Sequence, residues 1–153
     1  MNTMAATPST VIDLQSRVQG RVSAPGEERY DQLRAAWNLT VDQHPAIIVA
    51  AESAADVAEA VRFAHKADLK VAVQATGHGV IRPANGSLLI LTSAMTEVRI
   101  DAEARTAWVS AGAKWGKVLA QAQIVGLAPL LGSSPGVGAI GYTLGGGMGW
   151  LAR

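Results

Sequence analysis

Two loops of this chain carry residues whose types and spacing could do chemistry. In Gln74-Ala75-Thr76-Gly77-His78-Gly79-Val80 a histidine stands between two glycines, two residues from a hydroxyl. Glycines there let the backbone turn sharply and present bare N–H groups, which suits an anion such as a nucleotide phosphate. His78 reads equally as a ligand-facing imidazole or as a solvent-exposed turn histidine. The second loop is a run holding Gly132, Gly136, Gly138, Gly141, Gly145, Gly146, Gly147 and Gly149, half of the chain's sixteen glycines. Each glycine would weaken an ordinary helix by about 1 kcal/mol relative to alanine, so close backbone approach explains this density better than turns and tight packing alone.

Several familiar motifs fail on their context. Gly136, Gly138 and Gly141 spell a G-x-G-x-x-G, but Pro129 and Pro135 interrupt the stretch before it. No acid follows at the spacing that a dinucleotide fingerprint needs. A phosphate-binding P-loop lacks its Gly-Lys-Ser/Thr, and Gly132-Ser133-Ser134-Pro135-Gly136 has the G-x-S-x-G spacing of a nucleophile elbow but no clean strand before it. His44 precedes a proline and His65 adjoins Lys66, so both read as surface residues. The chain has no cysteine, which excludes disulfides, thiolate metal sites and cysteine nucleophiles. With three scattered histidines, no metal site is expected.

The elements that must position these loops follow from periodicity. Ala46 to Ala50 and Val71 to Gln74 are apolar runs of strand length. Between them Ser53 and Asp56 form a capping signal, followed by Val57, Ala60, Val61 and Ala64 at helical spacing. This β-α-β unit predicts parallel pairing of right-handed sense. Leu88 to Thr92 reads as a buried strand, and 97–101 with 106–110 as a hairpin wet on one face. Trp115, Val118, Leu119 and Ala122 mark a helix stopped near Gly126. Upstream, Pro25, Glu27 and Glu28 open a short helix with Tyr30, Leu33 and Trp37 on one face. The fold class is α+β: a β-α-β unit plus mixed and antiparallel strands with flanking helices.

Length and charge bound the rest. At 153 residues with 13 basic and 12 acidic residues in no blocks, the chain shows no footprint for nucleic acid or membrane. No signal-peptide pattern and no membrane span is present, so a soluble, cytoplasmic protein is expected.

Taken in order, the motifs resemble those of a known family. They are Thr76-Gly77-His78-Gly79, Leu89-Ile90 with Thr92 and Met95, Asp101 with Arg105-Thr106-Ala107, Ala111-Gly112 with Trp115, and Gly126-Leu127-Ala128-Pro129. The run from Pro135 to Gly149 closes the series. This is similar to the PCMH-type FAD-binding domain of the vanillyl-alcohol oxidase and berberine-bridge-enzyme family, over residues 46–153.

The resemblance implies FAD as cofactor. It places Gln74, Ala75, Thr76, Gly77, His78, Gly79 and Val80 around the pyrophosphate, and Ser134, Pro135, Gly138, Gly141 and Gly146 beside the flavin ring and ribityl chain. His78 matches the histidine that many relatives bond to the 8α-methyl of the flavin. Ser134 stands where some relatives place a second, cysteinyl link, so attachment here is at most single. The resemblance implies the flavin-binding portion of an oxidoreductase acting on a small organic substrate by hydride transfer to flavin N5. No residue matches a catalytic acid or base. Its organisation reads as a loose arm (1–22), a lead-in helix and turn (23–45) and the N-terminal part of the FAD domain (46–153), truncated as a fragment that leaves apolar surface exposed. Alternatives are a Rossmann-type nucleotide-binding module or a noncatalytic remnant.

Overall fold

Leu88, Leu89, Ile90 and Leu91 are all buried, which is the signature of a strand covered on both faces. They form β4 (Leu88–Leu91), an interior strand of a four-stranded sheet in the order β1-β2-β4-β3, with β1 at Arg21–Ser23, β2 at Ile47–Ala50 and β3 at Val71–Gln74. The computed structural model describes residues 8–149, and these fall into two units, Met1–Ala94 and Met95–Arg153, the terminal stretches lying outside the described residues.

In the first unit β2 and β3 are both parallel to β4, and β1 is antiparallel to β2. The crossover helix α3 (Ala54–Lys66) is capped as its sequence predicts, the Ser53 hydroxyl accepting from Asp56 N at 3.2 Å. The predicted direct pairing of the first two β-α-β strands is corrected: β4 lies between β2 and β3. The most apolar strand takes the interior position, where both neighbours bury it, and β3, with Val71 and Val73 exposed, takes the edge. On one face Ile48, Leu89 and Leu91 pack with Tyr30 and Ala84. Because side chains alternate across a strand, Leu88 and Ile90 face the other way, and α3 packs against β4 with Ala60, Phe63 and Ala64 buried.

The loose arm is also corrected for the residues described. Pro8–Gln15 is a helix, α1, and Arg21–Ser23 is the edge strand β1. Two side chains order this segment. Gln15 donates to Gly20 O and accepts from Val22 N, while the buried Asp56 carboxylate accepts from Gln19 N at 2.9 Å, Gly20 N at 3.1 Å and Glu52 N at 2.9 Å. Leu14 is completely buried behind them. Polar composition hid an element that is held mainly by long-range contacts.

The lead-in helix is shorter than predicted. α2 spans Tyr30–Arg34, and Ala35 is already extended with ψ 128°. Tyr30 is pinned through its hydroxyl, which donates to Pro45 O at 2.7 Å. Trp37 therefore lies beyond the helix, off the face it shares in the sequence pattern.

The second unit holds the predicted hairpin, β5 (Val98–Asp101) and β6 (Thr106–Val109), with Asp101 opposite Thr106. Across its exposed face the Arg99 guanidinium lies 4.8 Å from the centre of the Trp108 ring. Helix α4 (Trp115–Ile124) supplies Trp115 and Val118 to a core with Val98, Ala113 and Ala139. Inside the glycine run, where no periodicity announces it, lies a short helix: α5 spans Ala139–Leu144.

Candidate functional site

Ala50, Leu91 and Gln74 share one register across β2, β4 and β3. The three parallel strands thus end together, and the loop 74–80 leaves the sheet at its carboxyl edge, where ligands of parallel sheets collect. Gln74 itself is buried, and its side chain is occupied: Oε1 accepts from Gln43 Nε2 at 2.9 Å, and Nε2 donates to Ala35 O at 3.2 Å. Gln43 in turn donates to Arg34 O at 2.7 Å and accepts from Ala84 N at 3.3 Å. Gln74 therefore anchors the root of the loop, and what it offers a ligand is backbone.

The next turn of the loop is strapped to the segment after α2. Trp37 N donates to Thr76 O at 3.0 Å, and Asn38 N to Gly77 O at 3.4 Å. Gly77 has φ +76°, and a Cβ on it would lie 2.6 Å from the Ala36 Cβ and 2.9 Å from the Ala36 Cα. Both facts require glycine there. His78 then lies flat on the indole of Trp37, with ring centres 4.2 Å apart and planes 14° apart. Its Nδ1 is hydrogen-bonded to Thr76 Oγ1 at 2.9 Å. His78 is half-buried and held on two sides, so the reading of it as a free turn histidine does not describe it. Gly79 follows with open space where a Cβ would stand.

In the second unit the glycine run is docked on the start of α4. Trp115 N donates to Val137 O at 3.0 Å, Gly116 N to Pro135 O at 2.9 Å, and Ala139 N to Ala113 O at 2.8 Å. Ser134 and Pro135 are exposed; Gly138 is buried and its carbonyl accepts from Tyr142 N at 3.1 Å. The glycines then divide into two sets. Gly132 and Gly147 crowd the Tyr142 ring, which sits edge-on to Trp115 at 5.6 Å between ring centres, and Gly149 crowds the Leu131 carbonyl. Gly141 and Gly146, both exposed, have nothing within 4 Å of where a Cβ would stand. Packing within the described chain accounts for the first set and the φ of +99° for Gly146, which leaves Gly141 without a reason in the fold.

These observations fit a flavin nucleotide. In the first unit the loop 74–80 offers a held imidazole and hydroxyl at a sheet's carboxyl edge, with open space at Gly79; in the second unit, taken by itself, Gly141 and Gly146 have open space where a Cβ would stand. The run also lacks the strand that a Rossmann fingerprint needs directly before it, since residues 127–138 form no strand. Sequence reasoning missed three residues. Trp37 was placed on a helix face, and Gln43 and Tyr142 carried no motif; a single sequence holds no signal for a contact 31 residues away such as Gln43 to Gln74.

Comparison with known proteins agrees with this geometry. A family model described as FAD binding domain matches residues 45–153. The chain is 31% identical over 153 residues to an FAD-linked oxidoreductase of Dictyostelium discoideum, covering 99% of this chain and 34% of that protein. It is 31% identical to (R)-6-hydroxynicotine oxidase of Paenarthrobacter nicotinovorans, covering 99% of this chain and 32% of that one. Among solved structures, 6-hydroxy-D-nicotine oxidase from Arthrobacter nicotinovorans matches with a TM-score of 0.81 at 31% identity, covering 88% of this chain and 30% of that chain. BBE-like 1 of Physcomitrella patens matches with a TM-score of 0.79 at 25% identity, covering 92% and 31%. The chain spans about a third of the length of the curated relatives it matches. Among the described residues no helix is long and apolar enough to cross a membrane.

Proposed function

The chain belongs to the FAD binding domain family, and we propose that it is the flavin-binding portion of an oxidoreductase that oxidises a small organic substrate by hydride transfer to flavin N5. Its fold is the mixed α+β fold of PCMH-type FAD-binding domains, and FAD is its cofactor. When bound, FAD supplies the redox chemistry, taking a hydride from the substrate and passing two electrons to an acceptor such as dioxygen. The protein's share is to bind, orient and tether.

The observation that carries this reading is the held imidazole of His78 at the carboxyl edge of the sheet. Backbone N–H groups of residues 75–80 supply donors for the pyrophosphate. In this reading Ser134, Pro135, Gly138, Gly141 and Gly146 lie beside the ring and ribityl chain, and Gly141 and Gly146 have open space where a Cβ would stand. His78 would tether the flavin through a bond from a ring nitrogen to its 8α carbon. Forming that bond would replace the imidazole N–H and one 8α C–H, and the two electrons released would pass through the flavin ring to dioxygen, which with the two protons gives hydrogen peroxide. The chain has no cysteine, so one link is the maximum. A small-molecule substrate and a cytoplasmic location belong to the same proposal.

The test is the visible spectrum of the purified chain supplied with FAD, before and after acid precipitation. Flavin bands that stay with the precipitate support the tethered reading, and His78→Ala should move them to the supernatant. Flavin released from the unmutated protein removes the tether and keeps the binding. A chain that takes up no FAD overturns the proposal.

A further inference from the structure

We infer that Trp37 is a positioning residue for His78, holding the imidazole plane in the orientation in which it meets the flavin; this rests on the proposal that His78 contacts the flavin. The indole and imidazole are parallel within 14° at 4.2 Å, close enough for full face contact. Trp37 is 68% exposed, so its side chain does not serve the core. The ring contact it makes is with His78. The same short segment reaches the loop through backbone as well, by the Trp37 N to Thr76 O and Asn38 N to Gly77 O bonds. Those bonds and the Ala36–Gly77 contact place the loop, and they do not depend on the indole. What the indole adds is orientation of one ring. With Nδ1 tied to Thr76 Oγ1, stacking removes the remaining freedom, rotation of the ring out of its plane.

Orientation of a reacting group is worth orders of magnitude in rate when it restricts the group to the attacking geometry. A residue that acts only in this way should be replaceable by another flat ring. Its removal should leave the fold unchanged and should matter only while His78 is present.

The experiment compares the unmutated chain with Trp37→Phe, Trp37→Ala, His78→Ala and the double variant Trp37→Ala/His78→Ala. Three quantities are read: the rate at which acid-stable flavin forms with added FAD, the affinity for FAD, and the ring-proton resonances of His78 without cofactor. Trp37→Ala should slow attachment on the order of tenfold, and Trp37→Phe should restore most of it. The His78 ring protons should be shielded by the indole in the unmutated chain, remain so in Trp37→Phe and lose that shielding in Trp37→Ala. Attachment at the unmutated rate in Trp37→Ala, with attachment abolished in His78→Ala, overturns the inference and leaves the role of His78 intact. If no acid-stable flavin forms, the FAD affinities of the unmutated chain, Trp37→Ala, His78→Ala and the double variant decide: a Trp37→Ala effect that disappears in the His78→Ala background supports the inference, and independent effects overturn it. If His78→Ala changes neither attachment nor affinity, the functional reading of His78 fails and takes this inference with it.

Discussion

The side-chain amides of Gln43 and Gln74 meet in a buried position, the Gln43 Nε2 donating to the Gln74 Oε1 at 2.9 Å. Through this pair the end of β3 is joined to Arg34 O and Ala35 O at the end of α2 and to Ala84 N in the segment before β4. Removing one member strands the others without water. Gln43→Ala should therefore destabilise the chain by about 2–3 kcal/mol, since several buried polar groups lose partners at once. Urea unfolding followed by circular dichroism measures this. A loss below about 0.5 kcal/mol, the range of ordinary surface substitutions, would show that the network is not needed.

Asp56 makes the acid limb of stability predictable. Burial pushes its carboxyl up, but N–H groups of Glu52, Gln19 and Gly20 and the Ser53 side chain outweigh that and hold it below the ordinary aspartate value of 3.8. A group whose folded pKa is depressed stabilises the fold above its unfolded pKa, and this stabilisation is lost as pH falls through the folded pKa. Unfolding free energy should therefore drop as pH falls below about 4. Asp56→Asn, which keeps only one accepting oxygen, should cost about 2 kcal/mol at pH 7 and flatten that drop. Urea midpoints between pH 7 and pH 3 for both proteins test it; parallel curves would assign the acid sensitivity elsewhere.

Gly77→Ala should damage the loop and spare the sheet. The residue has φ +76°, and the added methyl would overlap Ala36. The backbone conformation alone costs an L-residue about 1–2 kcal/mol, and relief of the overlap must move the loop away from Ala36 and Trp37. The expected result is a chain with native far-ultraviolet dichroism whose His78 no longer stacks on Trp37 and whose flavin uptake is lost. Unchanged uptake would mean that the strap of residues 36–38 on the loop has no bearing on the cofactor.

Much of this was legible in the residues, and for identifiable reasons. The Ser53–Asp56 cap, the buried run at 88–91 and the alternating hairpin strands are local patterns, and α3, β4, β5 and β6 stand where those patterns place them. The loop 74–80 was legible because glycines flanking a histidine after a strand restrict what the segment can do. Illegible features depend on long-range contacts. Asp56 reads as a cap three residues from Ser53, yet it also holds backbone 36 and 37 residues away. Order in residues 8–22 follows from those bonds and not from composition. Insertion of β4 between β2 and β3 is likewise a matter of which strand gains most from two covered faces. Trp37 was misplaced because apolar spacing continues past Arg34 while the backbone does not, Ala35 having turned extended.

Gly141 separates what the glycine run does for the fold from what it does for the cofactor. It lies within α5, its carbonyl accepts from Gly145 N at 3.0 Å, and a Cβ there would meet no atom within 4 Å. Helix propensity therefore predicts that Gly141→Ala stabilises this unit by about 0.5–1 kcal/mol. If that open space is where flavin comes against bare backbone, the same methyl should stand in its way. The expected outcome is opposed changes in one variant: a higher urea midpoint without cofactor and weaker FAD binding by equilibrium fluorescence. Gly147→Ala is the contrast, because its Cβ would press into the Tyr142 ring and its φ is +47°, so stability should fall before any ligand is added. Should Gly141→Ala raise stability and leave FAD affinity unchanged, the open face of α5 would not be a flavin contact, and the fold would have no need of glycine at that position.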